Sequence, residues 1–136
     1  MNRAQPIRFV VVGAINTGAG LAAIYSAKYW FGLGDLPANA LGYGLGFLVG
    51  FRLNALWTFA YRGSMLPALA KYTLSFAISY ALNLTVVLAL IDWADANAYL
   101  AQAAGVPPYF VCFFFLSRRF VFRNSAIASQ HYLVPR

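Results

Sequence analysis

Residues 72–91 run without a single charged side chain, and three other stretches of the chain come close to the same pattern. A helix needs about 20 apolar residues to cross some 30 Å of hydrocarbon. In that medium the backbone must satisfy its own hydrogen bonds, so only helices or a closed barrel can span it. Barrel strands would alternate polar and apolar over about 10 residues. These runs do not alternate, so helices are predicted over about residues 9–31, 37–59, 72–91 and 99–122. Breaks fall at Gly32, Gly34 and Pro37, at Gly63, Ser64 and Pro67, and at Asp92, Asp95 and Asn97. The 136 residues are 62% hydrophobic and 10% charged, against about 25% charged in soluble domains, which excludes an ordinary soluble fold. The first run is too long for a signal peptide and lacks a small-residue cleavage site. Residues 133–136, Leu-Val-Pro-Arg, read as the remnant of a thrombin-cleavable expression tag, which leaves 1–132 as one domain.

The few charges are sorted by loop. Arg3 and Arg8 precede the first span, Arg62 and Lys71 separate the second from the third, and Arg118, Arg119 and Arg123 end the fourth. The three acids, Asp35, Asp92 and Asp95, lie in the other two loops, where Lys28 is the one basic residue nearby. Excess Lys and Arg marks cytoplasmic loops, so both termini and the middle loop are expected on that side. Trp30 and Trp93 then mark the outer interface, and Trp57, Tyr61 and Tyr72 the inner one. The net charge of +7 is mostly a topology signal with attraction for anionic lipid heads. No basic soluble surface remains for nucleic acid.

A shift of 63 residues places the chain on itself without a gap. Arg8-Phe9 falls on Lys71-Tyr72, Trp30 on Trp93, Gly42 on Gly105, Phe47 on Phe110, and Phe59 on Phe122. A duplicated hairpin is expected, about residues 8–62 and 71–125. Each copy has two spans, so the copies run parallel, related by an axis along the membrane normal.

Small and polar residues follow helical spacing. Gly42, Gly46, Gly50 and Asn54 recur every four residues, as do Ser75, Ser79 and Asn83. In the first span Gly13, Thr17 and Gly20 share a face, with Asn16 beside them. Small-xxx-small faces let helices approach closely in lipid, and exposed ones would suit a homodimer. Such lines are packing seams or the lining of a polar groove. The amides of Asn16, Asn54 and Asn83 need hydrogen-bond partners in either case. Pro107-Pro108 should kink the fourth helix. Cys112 reads as a small buried hydrophobe.

Arg52 lies about a turn and a half before Trp57. It either snorkels to the head groups or meets an anion. Arg118 and Arg119 occupy the corresponding end of the fourth span, and no carboxylate lies within the spans to neutralise the three. Guanidinium forks bind phosphate in a bidentate manner, and a lipid phosphate from the cytoplasmic leaflet is the candidate. Lys28 either snorkels at the outer face or receives the same phosphate there. Catalysis is not expected: no acid lies in a span, His131 is in the tail, and no nucleophile has a base nearby. No metal or cofactor is implied. A proton-coupled exporter of the small multidrug resistance type would need a membrane-embedded carboxylate.

RFVVVGAINT near the start, FRLNALWTF closing the second span and LSRRFVFRN closing the fourth resemble the GtrA-like (GtrA/DPMS) membrane proteins over roughly residues 7–124. Gly13-Ala14-Ile15-Asn16-Thr17 matches the family's Gly-x-x-Asn-Thr. Asn54 and Trp57-Thr58-Phe59 match its second-span ending, with Ala55 where arginine is usual and Arg52 one turn earlier. In the fourth span Arg118 matches and Ser117 stands for asparagine. The resemblance implies a role in cell-surface polysaccharide or glycolipid synthesis in the cytoplasmic membrane. Two functions fit. One is a flippase for a polyprenyl-phosphate-linked sugar, with Arg52, Arg118 and Arg119 on the phosphate and Asn16, Asn54, Ser79 and Asn83 along the sugar's path. The other is a non-transporting anchor for a membrane glycosyltransferase. The expected architecture is an all-α membrane protein with four transmembrane helices from two parallel helix-hairpin repeats, N and C termini cytoplasmic.

Overall fold

The computed structural model describes residues 3–123. The tag remnant at 133–136, His131 and the end of the second repeat at 124–125 lie outside the described residues. Among those described, the structure is helical throughout: α1 (Ala4–Phe31), α2 (Asp35–Leu53), a first π-helical turn (Asn54–Thr58), α3 (Met65–Ala94), α4 (Ala98–Leu116) and a second π-helical turn (Ser117–Val121). The chain divides into two compact units, residues 1–62 and 63–136. Each contains one helix hairpin closed by a π-turn.

Among the described residues three helices are long and apolar enough to cross a membrane: α1, α3, and α4 continued through its π-turn to Val121. The region expected to form the second span is helical, but it does not reach the same apolarity. Glycines at 42, 44, 46 and 50 stand where larger aliphatics would add hydropathy, and Asn39 and Arg52 subtract from it. With its π-turn it still extends over roughly 35 Å.

The helices begin earlier than the apolar runs. Prolines 6, 37 and 67 each take the third position of a helix, where the missing N–H would have had no partner in any case. Leu66, Ala68 and Leu69 are good helix formers, so α3 starts at Met65 rather than at Tyr72. α4 passes through Pro107 and Pro108 without ending. That withdraws the usual donors from the carbonyls four residues back, Ala103 and Ala104.

Local geometry repeats at the spacing of 63. α2 and α4 start at 35 and 98 and end at 53 and 116, and the π-turns follow directly on each. α1 and α3 both end in left-handed residues, Gly32 (φ 61°) and Asp95 (φ 52°). The next N–H closes back on the helix each time, Leu33 to Ala27 at 3.2 Å and Ala96 to Leu90 at 3.0 Å. This six-residue closure satisfies carbonyls the helix end leaves open. Glycine takes that conformation freely, and aspartate is among the few other residues that tolerate it.

In the first unit the helices meet backbone to backbone. A Cβ placed on Gly42 would stand 2.6 Å from the Gly20 carbonyl oxygen, and one on Gly46 would stand 2.7 Å from that of Asn16. Close approach through small residues is how lipid-embedded helices gain dispersion energy without a hydrophobic effect between them. The Phe9 and Phe59 rings, 6.2 Å apart edge to face, close the end near the π-turn. In the second unit aromatic packing takes over: Tyr72 lies 4.9 Å from Phe113 and 6.2 Å from Phe122, ring centre to ring centre. Tyr29, Trp30, Trp93 and Tyr99 are all highly exposed, as suits rings at a lipid–water boundary.

Candidate functional site at the helix ends

Both π-turns carry the residues singled out in the sequence. A π-turn widens the helix by one residue and breaks the regular hydrogen-bond ladder, and such turns concentrate at functional positions. Here the amides of Phe59 and Phe122 donate to the first residues of their turns, Asn54 and Ser117, each at 2.9 Å. Ala60 then turns the chain with φ 48°.

Arg52 is exposed on the last turn of α2. Arg118 is half-buried in the second π-turn, and Arg119 next to it is exposed. The Arg119 guanidinium carbon lies 5.8 Å from the centre of the Phe115 ring. None of the three has an ion pair among the described residues. Asn54 is buried at 3% exposure, and its side-chain oxygen accepts from the hydroxyl of Thr58 at 2.9 Å. In the second unit the matching pair is Ser117 and Val121, and the Ser117 hydroxyl, fully buried, has no hydrogen-bond partner among the described residues.

The amides on the first helix of each hairpin face glycine on the second. Asn16 packs against Gly46 and Gly50, and Asn83 against Gly105. Thr17 hydrogen-bonds the Gly13 carbonyl at 2.9 Å and reaches the Asn16 side-chain oxygen at 3.4 Å. Ser79 is buried and donates to the Ser75 carbonyl at 2.8 Å, and Ser75 to that of Lys71 at 2.8 Å. These hydroxyls are satisfied within their own helix, as serine in an apolar helix commonly is. Asn16, Arg52 and Asn54 thus belong to the first unit, and Ser79, Asn83, Arg118 and Arg119 to the second.

Two features escaped the sequence reading. Lys28 forms an ion pair with Asp35 across the α1–α2 turn, a partner the sequence reading, which offered snorkelling or a phosphate, did not name. The hydrogen bond from the Lys28 ammonium, and then its charge, hold the Asp35 carboxyl below its usual range. The other is a pair of cations over rings. The Arg8 guanidinium carbon lies 5.5 Å from the centre of the Trp57 ring, and Nη1 donates to the Trp57 carbonyl at 3.2 Å. Lys71 Nζ lies 5.5 Å from the centre of the Phe120 ring. The 63-residue shift, which puts Arg8 on Lys71 and Trp57 on Phe120, was the available signal for the pairing.

Guanidiniums without an ion pair among the described residues, at the ends of apolar helices, suit a polar, anionic head group joined to a lipid tail. They offer planar donors for phosphate, beside surfaces fit for hydrocarbon. Comparison with curated proteins returns no match. The profile of the GtrA/DPMS transmembrane domain matches residues 8–122. The chain is a multi-pass membrane protein that belongs to the GtrA/DPMS transmembrane family.

Proposed function

We propose that this protein moves a polyprenyl-phosphate-linked sugar across the cytoplasmic membrane for the synthesis of cell-surface polysaccharide or glycolipid. Membership of the GtrA/DPMS family supports the lipid-linked sugar class. The observation that carries the reading is the set of arginines without carboxylate partners among the described residues, Arg52 in the first hairpin and Arg118 with Arg119 in the second. Each hairpin offers its own arginines to a lipid phosphate, the half-buried amides of Asn16 and Asn83 serve the sugar while Asn54 and Ser79 are buried and bonded within their own helix segments, and the prenyl chain stays in lipid. The role is transport rather than catalysis.

In this reading α2 crosses the membrane as a fourth span, and both termini and the α2–α3 loop are cytoplasmic, as the arginine and lysine bias requires. The hairpins are duplicated copies, a reading supported by helix bounds, caps and π-turns that recur at 63 residues. Movement is downhill, and a homodimer formed through small-residue faces enlarges the polar path.

The test is binding of a fluorescent polyprenyl phosphate to the purified protein in lipid nanodiscs. Arg52→Ala with Arg118→Ala is expected to weaken it by about 10-fold or more, since a charge-assisted hydrogen bond contributes about 1.5–3 kcal/mol. Unchanged binding in the double variant would remove the phosphate site. In that case the accessory reading stands, and a glycosyltransferase should co-purify with wild type and double variant alike.

A further inference from the structure

A helix end presents two faces to an anion. The N-terminus attracts it, and the C-terminus, with open carbonyls and about half a negative charge, repels it. Arg52, Arg118 and Arg119 all sit at C-terminal ends, on the last turn of α2 and within the π-turn that ends α4. A phosphate bound there meets an unfavourable field unless another group cancels it.

Both hairpins place a cation where that is achieved. Arg8, on the second turn of α1, covers the Trp57 ring and donates to the Trp57 carbonyl, one of the last carbonyls of the first π-turn. Lys71, on the second turn of α3, covers the Phe120 ring in the second π-turn. The two cations are 63 residues apart in sequence, and so are the two rings. Trp57 and Phe120 stand at the same step of their turns, the fourth residue of five. Each pair belongs to a single hairpin. A cation over an aromatic face is held by the ring quadrupole while keeping its charge.

We infer that Arg8 and Lys71 are positioning residues: each is held on an aromatic ring so that its charge cancels the C-terminal field of the π-turn next to the phosphate-binding arginines. This rests on the phosphate reading above and adds two residues to it. Arg8 does more than Lys71, because its fork also occupies a carbonyl, which a point-charge ammonium over the ring does not do.

The test uses the full chain in nanodiscs with two readouts. The first is acrylamide quenching of Trp57, a neutral quencher that the loss of a charge does not bias, in a Trp30→Phe, Trp93→Phe background, in which Trp57 is the remaining tryptophan. The second is affinity for fluorescent polyprenyl phosphate. Arg8→Gln should raise the quenching of Trp57 and weaken phosphate binding by about two- to fivefold, the typical worth of a cation at a helix C-terminus. Arg8→Lys should restore most of the affinity, since it restores the charge. Trp57→Leu keeps the charge and the backbone carbonyl that Arg8 donates to but removes the ring, and should weaken binding by part of that amount. Arg8→Gln combined with Trp57→Leu should be no worse than Arg8→Gln alone.

Wild-type affinity in Trp57→Leu would overturn the inference, because Arg8 would then act without the ring. So would wild-type affinity in Arg8→Gln, or failure of Arg8→Lys to recover any of the loss. If the wild-type protein itself does not bind the lipid, the phosphate reading fails. The quenching data then still decide whether the ring holds the cation. The conservative Arg8→Lys and Trp57→Phe variants keep the test open should the harsher changes fail to fold.

Discussion

Asn16 and Gly50 fit together because Gly50 has no side chain. A Cβ on Gly50 would stand 2.6 Å from the Asn16 side-chain nitrogen, and all three atoms nearest to it belong to Asn16. Gly50→Ala should therefore destabilise the protein by about 1 kcal/mol, the low end for overpacking, since the nearest atom is the mobile end of a side chain and alanine is the better helix former. In an Asn16→Ala background the nitrogen is gone. The residual contact, the residue 16 Cβ at 3.2 Å, needs a shift of only a few tenths of an ångström. The cost should then fall by at least half. Denaturant titration of the four proteins in one detergent measures the coupling, and equal costs in both backgrounds would contradict the seating of the amide.

Asn54 and Ser117 occupy the same step of the two π-turns with opposite outcomes. Asn54 accepts from Thr58, whereas the Ser117 hydroxyl is buried without a partner among the described residues. Removing an unsatisfied buried hydroxyl is neutral or stabilising, whereas stranding a partner costs about 1–3 kcal/mol. Ser117→Ala should leave the thermal midpoint unchanged or raised, and Asn54→Ala should lower it. Thermal unfolding followed by circular dichroism separates the two.

The Lys28–Asp35 pair gives a small acid-side dependence. Asp35 is lowered from its ordinary 3.8 by the hydrogen bond and charge of Lys28. A depressed carboxyl adds stability that is present above the unfolded value and is lost as pH falls through the folded one. Both side chains are well exposed, at 46% and 83%, so the effect is small and screened by salt. Asp35→Asn should lower the midpoint slightly at neutral pH, and the difference from wild type should vanish in strong acid or high salt. A difference that persists at pH below the folded value would contradict the pairing.

The helices were legible because hydrophobic runs of spanning length leave the backbone few alternatives. The spacing of Gly42, Gly46 and Gly50 correctly foretold a close helix contact, since period four marks one helix face. The apolar runs foretold where helices lie better than where they start. Pro67 looked like a break but sits in a first turn, where it costs nothing. The π-turns were not legible, since one extra residue per turn leaves the apolar pattern almost intact. Arg8 and Trp57 are 49 residues apart, so no local period connects them. Lys28 and Asp35 are seven apart across a glycine turn. There the sequence shows two opposite charges near one loop, and the left-handed Gly32 decides that they meet.

The most direct measurement is leaflet exchange in liposomes that contain the purified protein and a fluorescent polyprenyl-phosphate sugar, read by access of an impermeant quencher. Protein-dependent exchange that is lost in the Arg52→Ala, Arg118→Ala double variant is the expected result. An absence of exchange by a folded wild-type protein, or exchange that survives the double variant, would contradict transport through these arginines.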